Sequence, residues 1–336
     1  MIGMSSNHIK TITLTILYTI YNKQNNTSKC AILIILSWTS GYTYNFAAKL
    51  LQKSIRSTML GRTYKVSYWC LMSYTVALTE EELSTGMMHS HTLQKAKHAF
   101  CVHGFLKIEM LFSKTFLATI AAAYAKQLTY REEELEQGTK TSHRRYIVPI
   151  ALQGPFHDPQ LYANPILLQL MHALLGKHLL FSSLGAISAL PGCMDQHLHA
   201  DFYALFEEEL AISCATPPFA ITVAVPLLDI DPLNGPTHIW SGSHLTYPID
   251  QRMESYEKHL LYGSMGSCYM WDYRTFHAGG SNHSSEIRSL LYMSYTRRWF
   301  QDLANPDRLS IPQKEFEEIP EEYKALFAKA KPVLCR

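Results

Sequence analysis

The chain has 336 residues, with 30 Lys and Arg against 28 Asp and Glu, and is 47% hydrophobic and 12% aromatic. That balance excludes disordered and fibrous classes, and a net charge of +2 gives no electrostatic footprint for a nucleic acid partner. Seven cysteines at irregular intervals, without a CxxC pair, fit neither a disulfide framework nor a structural zinc site, and point to a reducing compartment.

The first 79 residues differ from the rest. They contain no Asp or Glu but eight Lys and Arg, so the +2 of the whole chain divides into +8 ahead of Glu80 and −6 from there on. Their two apolar runs, Ile12 to Tyr21 and Ala31 to Trp38, are too short to span a bilayer. A basic, acid-poor, Ser/Thr-rich N-terminus has the composition of an organelle transit peptide. A weak signal-anchor and an extension outside the functional core, with Met59, Met72 or Met87 as later starts, are the competing readings. The expected organisation is an acid-poor extension over 1–79 and one functional domain over 80–336, cytoplasmic unless the extension directs organelle import.

From Thr79 the pattern becomes regular. Thr79 with Glu82 three residues later is a capping box and predicts a helix. Phe116, Leu117, Ile120, Tyr124 and Leu128 recur at helical spacing between Ser113 and about Gln137. Asn164 and Pro165 supply an N-cap and a first helical residue, Ile166 to Leu175 keep the period, and Gly176 stands where a left-handed cap belongs. Strands then follow at Phe181 to Leu190, Asp195 to Tyr203, Phe219 to Ile230, Ser267 to Asp272 and Ile287 to Phe300, with Asn234-Gly235 as a tight turn. Helices first and short strands afterwards do not give an alternating βαβ pattern. The fold class expected is mainly β with flanking helices, a double-stranded β-helix or cupin-like jelly roll. The tail from Pro312 to Phe327 predicts terminal helix interrupted at Pro320.

No GxGxxG, GxxxxGK[ST], GxSxG or HExxH occurs, so the chemistry falls to the 16 histidines. In Gln196-His197-Leu198-His199-Ala200-Asp201, residues 197, 199 and 201 share one face if the segment is a strand. Two histidines and one carboxylate with open positions are the signature of non-haem Fe(II) oxygenases. His277, in a Gly-rich turn after a strand ending at Asp272 and eleven residues before Arg288, fits the second histidine. A barrel arginine is costly unless it meets an anion, and a guanidinium grips a carboxylate bidentately; the anion expected is a cosubstrate. His197 is an alternative ligand in an H-x-H arrangement. His244 is read as fixing a loop, His238 and His283 as rim residues, Asp229 and Asp231 as solvated turn residues, and Asp272 with Arg274 as a brace for the His277 loop. Tyr292 and Ser294 share the inward face of the Arg288 strand, Arg297-Arg298 reads as a surface pair, and Asn282-His283-Ser284 is a chance glycosylation match.

These pieces resemble the phytanoyl-CoA dioxygenase family of Fe(II)/2-oxoglutarate oxygenases. The matching segments run in family order: FCVHGFLKIEMLF from Phe100, PGCMDQHLHAD from Pro191, LLDIDPLNGPTHIWSGSH from Leu227, and WDYRTFHAGGSNHSSEIRSLLYMSYTRRWF from Trp271. The resemblance spans roughly residues 80 to 305. It implies His199, Asp201 and His277 as iron ligands, Arg288 on the distal carboxylate of 2-oxoglutarate, and Gln196 and Thr237 as further cosubstrate contacts. It also implies O2 as oxidant and release of succinate and CO2. The carboxylate of Asp201 favours hydroxylation of a C–H bond of a small organic molecule over halogenation. Substrate and oligomeric state are left open, and Leu245 to Gly263 is the expected lid. A cupin-type isomerase or metal-binding protein and a barrel without catalysis are the other classes.

Overall fold

A computed structural model describes residues 73–129, 140–246, 253–302 and 309–333, and upstream of them the backbone of four strands. The chain divides into two units, Met1–Cys70 and Leu71–Arg336. In the first, β1 (Ile12–Asn22) pairs with β2 (Thr27–Trp38) and β3 (Ile55–Met59) with β4 (Arg62–Val66), both antiparallel.

In the second unit the helix signals are met by real caps. Thr79 closes α1 (Glu80–Thr85) with the reciprocal bonds of a capping box: its hydroxyl accepts the Glu82 N–H, and the Glu82 carboxylate accepts the Thr79 N–H at 2.9 Å. α2 (Ser90–His103) follows. In α3 (Lys114–Thr129) the spacing buries Leu117, Ile120 and Tyr124; its expected continuation beyond 129 lies outside the described residues. After the single turn of α4 (Pro159–Tyr162), Asn164 Oδ1 accepts two N–H groups at the head of α5 (Pro165–Leu175). Gly176 ends that helix at φ 87° and ψ 170°, an extended mirror conformation open to glycine, and not the left-handed cap predicted.

Among the described residues of this unit, eleven strands form two sheets. The larger has the order β5 (Thr75–Val76), β6 (Phe105–Ile108), β13 (Cys268–Asp272), β10 (Ala220–Pro226), β15 (Arg288–Arg297), β9 (Leu179–Ala189), β8 (Arg145–Pro149) and β7 (Lys140–Ser142), antiparallel except for β5 with β6. The smaller is β12 (Lys258–Leu261), β11 (Thr237–Trp240) and β14 (His277–Gly279). The period-two alternation of a strand sorts the side chains. On β10, Ile221, Val223 and Val225 pack outward into the cluster that holds Leu117 of α3 and Leu170 of α5. Ala224 points the opposite way and, with Tyr269, Trp271 and Leu290, meets Ile239 and Leu261 of the smaller sheet. This is the expected jelly roll, with helices outside the larger sheet.

Three expectations are corrected. Asp195 to Tyr203 is not a strand: its backbone bonds, Gln196 to Gly279, His199 to His277 and Phe202 to Tyr273, come every third residue, whereas a ladder needs a period of two. The expected lid includes 247–252, outside the described residues, but its end is β12, a paired strand of the smaller sheet. Arg297 is not a free surface charge, since its guanidinium donates to Pro218 O at 2.7 Å and to Leu174 O at 3.0 Å, on the last turn of α5. After a short helix, α6 (Leu210–Ala215), the tail forms α7 (Gln313–Glu317) before Pro320 and then a 3₁₀ turn (Glu321–Phe327) that seats Phe327 5.7 Å from Phe181. No helix among the described residues is long and apolar enough to cross a membrane.

Candidate metal centre

His199, Asp201 and His277 each offer one ligand atom, and the three atoms lie within 4.8 Å of one another. His277 comes from β14. His199 is tied to it by reciprocal backbone bonds of 3.0 and 2.8 Å, which bring the two rings to 4.4 Å. Each ring has its Nδ1 committed to a main-chain carbonyl, His199 to His197 O and His277 to Thr275 O, both at 2.9 Å. That fixes the tautomer with Nδ1–H as donor and turns both Nε2 lone pairs toward the centre. Burial, and next the nearby His277, hold the His199 imidazole down to about 4, so it is neutral near pH 7.

Asp201 is oriented by two donors on one oxygen: Thr222 Oγ1 at 2.6 Å and Trp271 Nε1 at 3.0 Å both reach Oδ2. Oδ1 is left facing His277 Nε2 at 3.8 Å. Two imidazoles and a carboxylate with one free oxygen are the donor set for a divalent first-row metal with open positions. The residues therefore fit the ion the sequence implied. His197 does not join them: its side chain is exposed, and its carbonyl does the work.

Below the triad, the strand register arranges a second group. Arg145 on β8 and Arg288 on β15 both pair with Ala189 on β9, so the two side chains flank one small residue on the inner wall. Both are fully buried. Arg145 is engaged through Nη2, which donates to Gly280 O at 2.6 Å and reaches Cys193 Sγ at 3.1 Å. Nε and Nη2 of Arg288 have no partner among the described residues. Burial, and next the like charge of Arg145, push the Arg288 guanidinium down to about 10. A cation so placed, without a carboxylate, is in deficit of an anion.

The remaining site residues are assigned as follows. Gln196 Oε1 accepts the Gly279 N–H at 3.2 Å, so that atom braces the His277 loop. Thr237 is buried on β11 and hydrogen-bonds Tyr292 of β15. Asp272 and Arg274 form a bidentate pair of 2.8 and 2.7 Å, and Arg274 also donates to Ser213 O and Thr216 O at the end of α6 (Leu210–Ala215). His244 fixes a loop as expected, through Cys101 O at 3.2 Å. Asn282 is buried, its amide donating to Ala189 O and Glu286 O, which makes it a loop tie.

Residues 100–290, more than half of the chain, match the phytanoyl-CoA dioxygenase family. The chain belongs to that family. As a phytanoyl-CoA dioxygenase family member it falls in the class of 2-oxoglutarate-dependent dioxygenases. Among solved structures it is similar to SnoN, the non-heme α-ketoglutarate-dependent epimerase from nogalamycin biosynthesis, at 19% identity over 62% of this chain and 84% of that one, with a TM-score of 0.51. It is also similar to AviO1 from Streptomyces viridochromogenes Tue57, at 16% identity over 64% of this chain and 99% of that one, with a TM-score of 0.50. At these identities the likeness speaks for the fold.

Sequence reasoning missed Arg145, Trp271 and Thr222 as site residues. Their signal is the inward parity of their strands, visible only in the register that pairs Arg145 with Ala189 and Thr222 with Trp271.

Proposed function

We propose that this family member is an Fe(II)- and 2-oxoglutarate-dependent dioxygenase that hydroxylates an unactivated C–H bond of a small organic molecule, releasing succinate and CO2. In this reading His199, Asp201 and His277 hold the iron, and Arg288 pairs with the distal carboxylate of 2-oxoglutarate. The observation that carries it is the combination, inside one barrel, of an oriented two-His, one-carboxylate face and a buried arginine with unpartnered donors. A SnoN structure that contains Fe3+ and α-ketoglutarate, similar in fold at a TM-score of 0.51, supports the same pairing of metal and cosubstrate.

When bound, the iron supplies O2 activation coupled to oxidative decarboxylation of the cosubstrate. The chain supplies the geometry. The main-chain carbonyls of 197 and 275 hold both imidazoles in the ligating tautomer, and Thr222 and Trp271 lock the carboxylate rotamer. Three protein ligands would leave positions open for a cosubstrate and O2, and Arg145 and Arg288 are buried in the same barrel. Two buried guanidinium groups suit a dianion better than a monoanion. The Trp271 ring, 4.9 Å from the His277 ring and 5.7 Å from that of Tyr292, keeps water from this wall.

The test is metal and product stoichiometry on the full chain. The expected result is one Fe(II) per wild-type chain and 2-oxoglutarate-dependent succinate formation, both lost in His277→Ala. A folded wild-type protein that binds no iron contradicts the reading.

A further inference from the structure

Past the two arginines the inner wall of the barrel changes character. Along β15 the inward residues after Arg288 are Leu290, Tyr292 and Ser294, and opposite them on β9 stand Ile187, Gly185 and Ser183. Ala224, Trp271 and Leu290 are buried against the smaller sheet. That cover does not extend across β9 and β8: Ile187, Gly185 and Ser183 are half-buried, and Pro149 is exposed. Gly185 pairs with Tyr292 on one side and with Pro149 on the other, so this part of the wall is a glycine floor between two rings.

Beside that floor lies a row of hydroxyls. Ser183 Oγ donates to Ser294 Oγ at 2.8 Å, and the Tyr273 hydroxyl donates to the same oxygen at 2.7 Å. The register of β9 on β15 slips between Ser294 and Tyr295, which leaves Ser182 out of the ladder with its hydroxyl 2.6 Å from Thr296 Oγ1. A bulge re-aims a side chain, and this one sets two consecutive serines against one strand. With its hydrogen given to Ser294, Ser183 keeps lone pairs for a donor from outside the wall. The row is level with the metal centre, since Ser294 pairs with Thr222, whose hydroxyl holds Asp201 Oδ2 at 2.6 Å. Two strand spacings, roughly 10 Å, separate Ser183 from Thr222, whereas Arg288 lies six residues, roughly 20 Å, back along β15 from Ser294.

Charge narrows the occupant. Past the arginines the inward residues of β8, β9, β10 and β15 carry no charge. A charged group brought here would lose water without gaining a partner, whereas a hydroxyl finds an acceptor. We propose that the uncovered wall of β8 and β9 is the substrate subsite, and that it takes a neutral, hydroxyl-bearing ring: Gly185 floors the ring between Tyr292 and Pro149, and Ser183 accepts a substrate hydroxyl. That the occupant is a substrate rests on the oxygenase reading of the site given above.

The experiment is calorimetric titration of the full chain, kept anaerobic with Fe(II) and excess 2-oxoglutarate, with three probes built on one ring. These are cyclohexane-1,4-diol, 1,4-dimethoxycyclohexane, which cannot donate a hydrogen bond, and cyclohexylamine, which is cationic at neutral pH. Wild type is expected to bind the diol about fivefold or more tightly than either of the others. Ser183→Ala should weaken the diol by about fivefold, the scale of one neutral hydrogen bond. Ser183→Thr, which keeps the hydroxyl on a strand, should return it to within about twofold of wild type. Iron content and 2-oxoglutarate affinity, measured on the same samples, stay within about twofold in both variants. The proposal is overturned if the diol does not bind, if the ether or the amine binds as tightly, or if Ser183→Ala binds the diol as wild type does. A wild type that holds iron and 2-oxoglutarate but not the diol overturns this inference alone. One that binds the diol through Ser183 but neither iron nor 2-oxoglutarate overturns the oxygenase reading, and with it the substrate role of the wall.

Discussion

Asp201 uses its two oxygens differently: Oδ2 accepts both orienting hydrogen bonds, and Oδ1 stays free beside His277 Nε2, open to a metal. Removing either orienting donor frees the carboxylate to rotate without removing a ligand. We therefore expect Trp271→Phe and Thr222→Val each to weaken metal binding by roughly 10- to 100-fold, as read by competition with a chelating dye; unchanged affinity in both contradicts the role. Gly279 is a second exacting position. A Cβ there would lie 2.4 Å from Arg145 Nη1 and 2.8 Å from its Cζ. Gly279→Ala should displace the buried guanidinium and weaken 2-oxoglutarate binding, while the metal ligands stay in place. The triad was legible in the sequence because H-x-D followed by a histidine in a Gly-rich turn is chemistry at a fixed spacing. Arg145 was not legible, because nothing in Arg144-Arg145 says which of two adjacent arginines points into a barrel. The structure answers through register: Arg145 shares the Ala189 pairing with Arg288.

At the scale of elements, the helix N-caps at Thr79 and Asn164 were the best-predicted features, since each rests on a few neighbouring atoms. Thr79→Ala removes the half of the capping box on α1 that uses its hydroxyl, the acceptor for the Glu82 N–H, and Asn164→Ala removes the acceptor for two N–H groups of α5. Each should cost about 0.5–2 kcal/mol in denaturant unfolding. Less legible was the segment that carries His199 and Asp201. Its apolar and polar alternation reads as a strand, yet it follows β14 at a three-residue period, and this looser path lets the histidine bond β14 while the aspartate reaches Thr222 on β10. Arg274 holds that path, joining the turn before His277 to the end of α6, and is buried with Asp272. Burial opposes the Asp272 charge, and Arg274 outweighs it, keeping the carboxyl below its ordinary range. Arg274→Met leaves Asp272 buried without its partner, and a loss of about 3–5 kcal/mol is expected; a melting temperature equal to wild type contradicts the clamp.

For the whole molecule, acid stability should be governed by groups that the fold holds away from their ordinary ionisation. His244 is buried, and burial lowers it to about 4 from an ordinary 6.5. The unfolded chain therefore takes up a proton below pH 6.5 that the folded chain refuses until about pH 4. Stability from this residue is complete above 6.5 and falls as pH drops through that window, by an amount on the order of 3 kcal/mol. Glu82 acts lower down. Burial raises it, but hydrogen bonds led by the Thr79 N–H outweigh this and hold it at about 2 from 4.5, so its contribution fades between those values. Urea midpoints measured from pH 7 to 4 should fall in wild type and fall less in His244→Gln. The jelly roll itself was readable from the order of helices and strands, whereas the layering of its interior, metal face above and arginines below, depends on long-range register that local pattern does not carry.

The central claim is that one barrel holds iron and 2-oxoglutarate together, and anaerobic titration of the full chain with Fe(II) and then 2-oxoglutarate tests it most directly. The expected result is the weak visible absorption band of chelated cosubstrate in wild type, absent in His277→Ala and shifted to much higher 2-oxoglutarate in Arg288→Ala. A folded, iron-loaded wild type without that band, or a band that both variants retain unchanged, contradicts it.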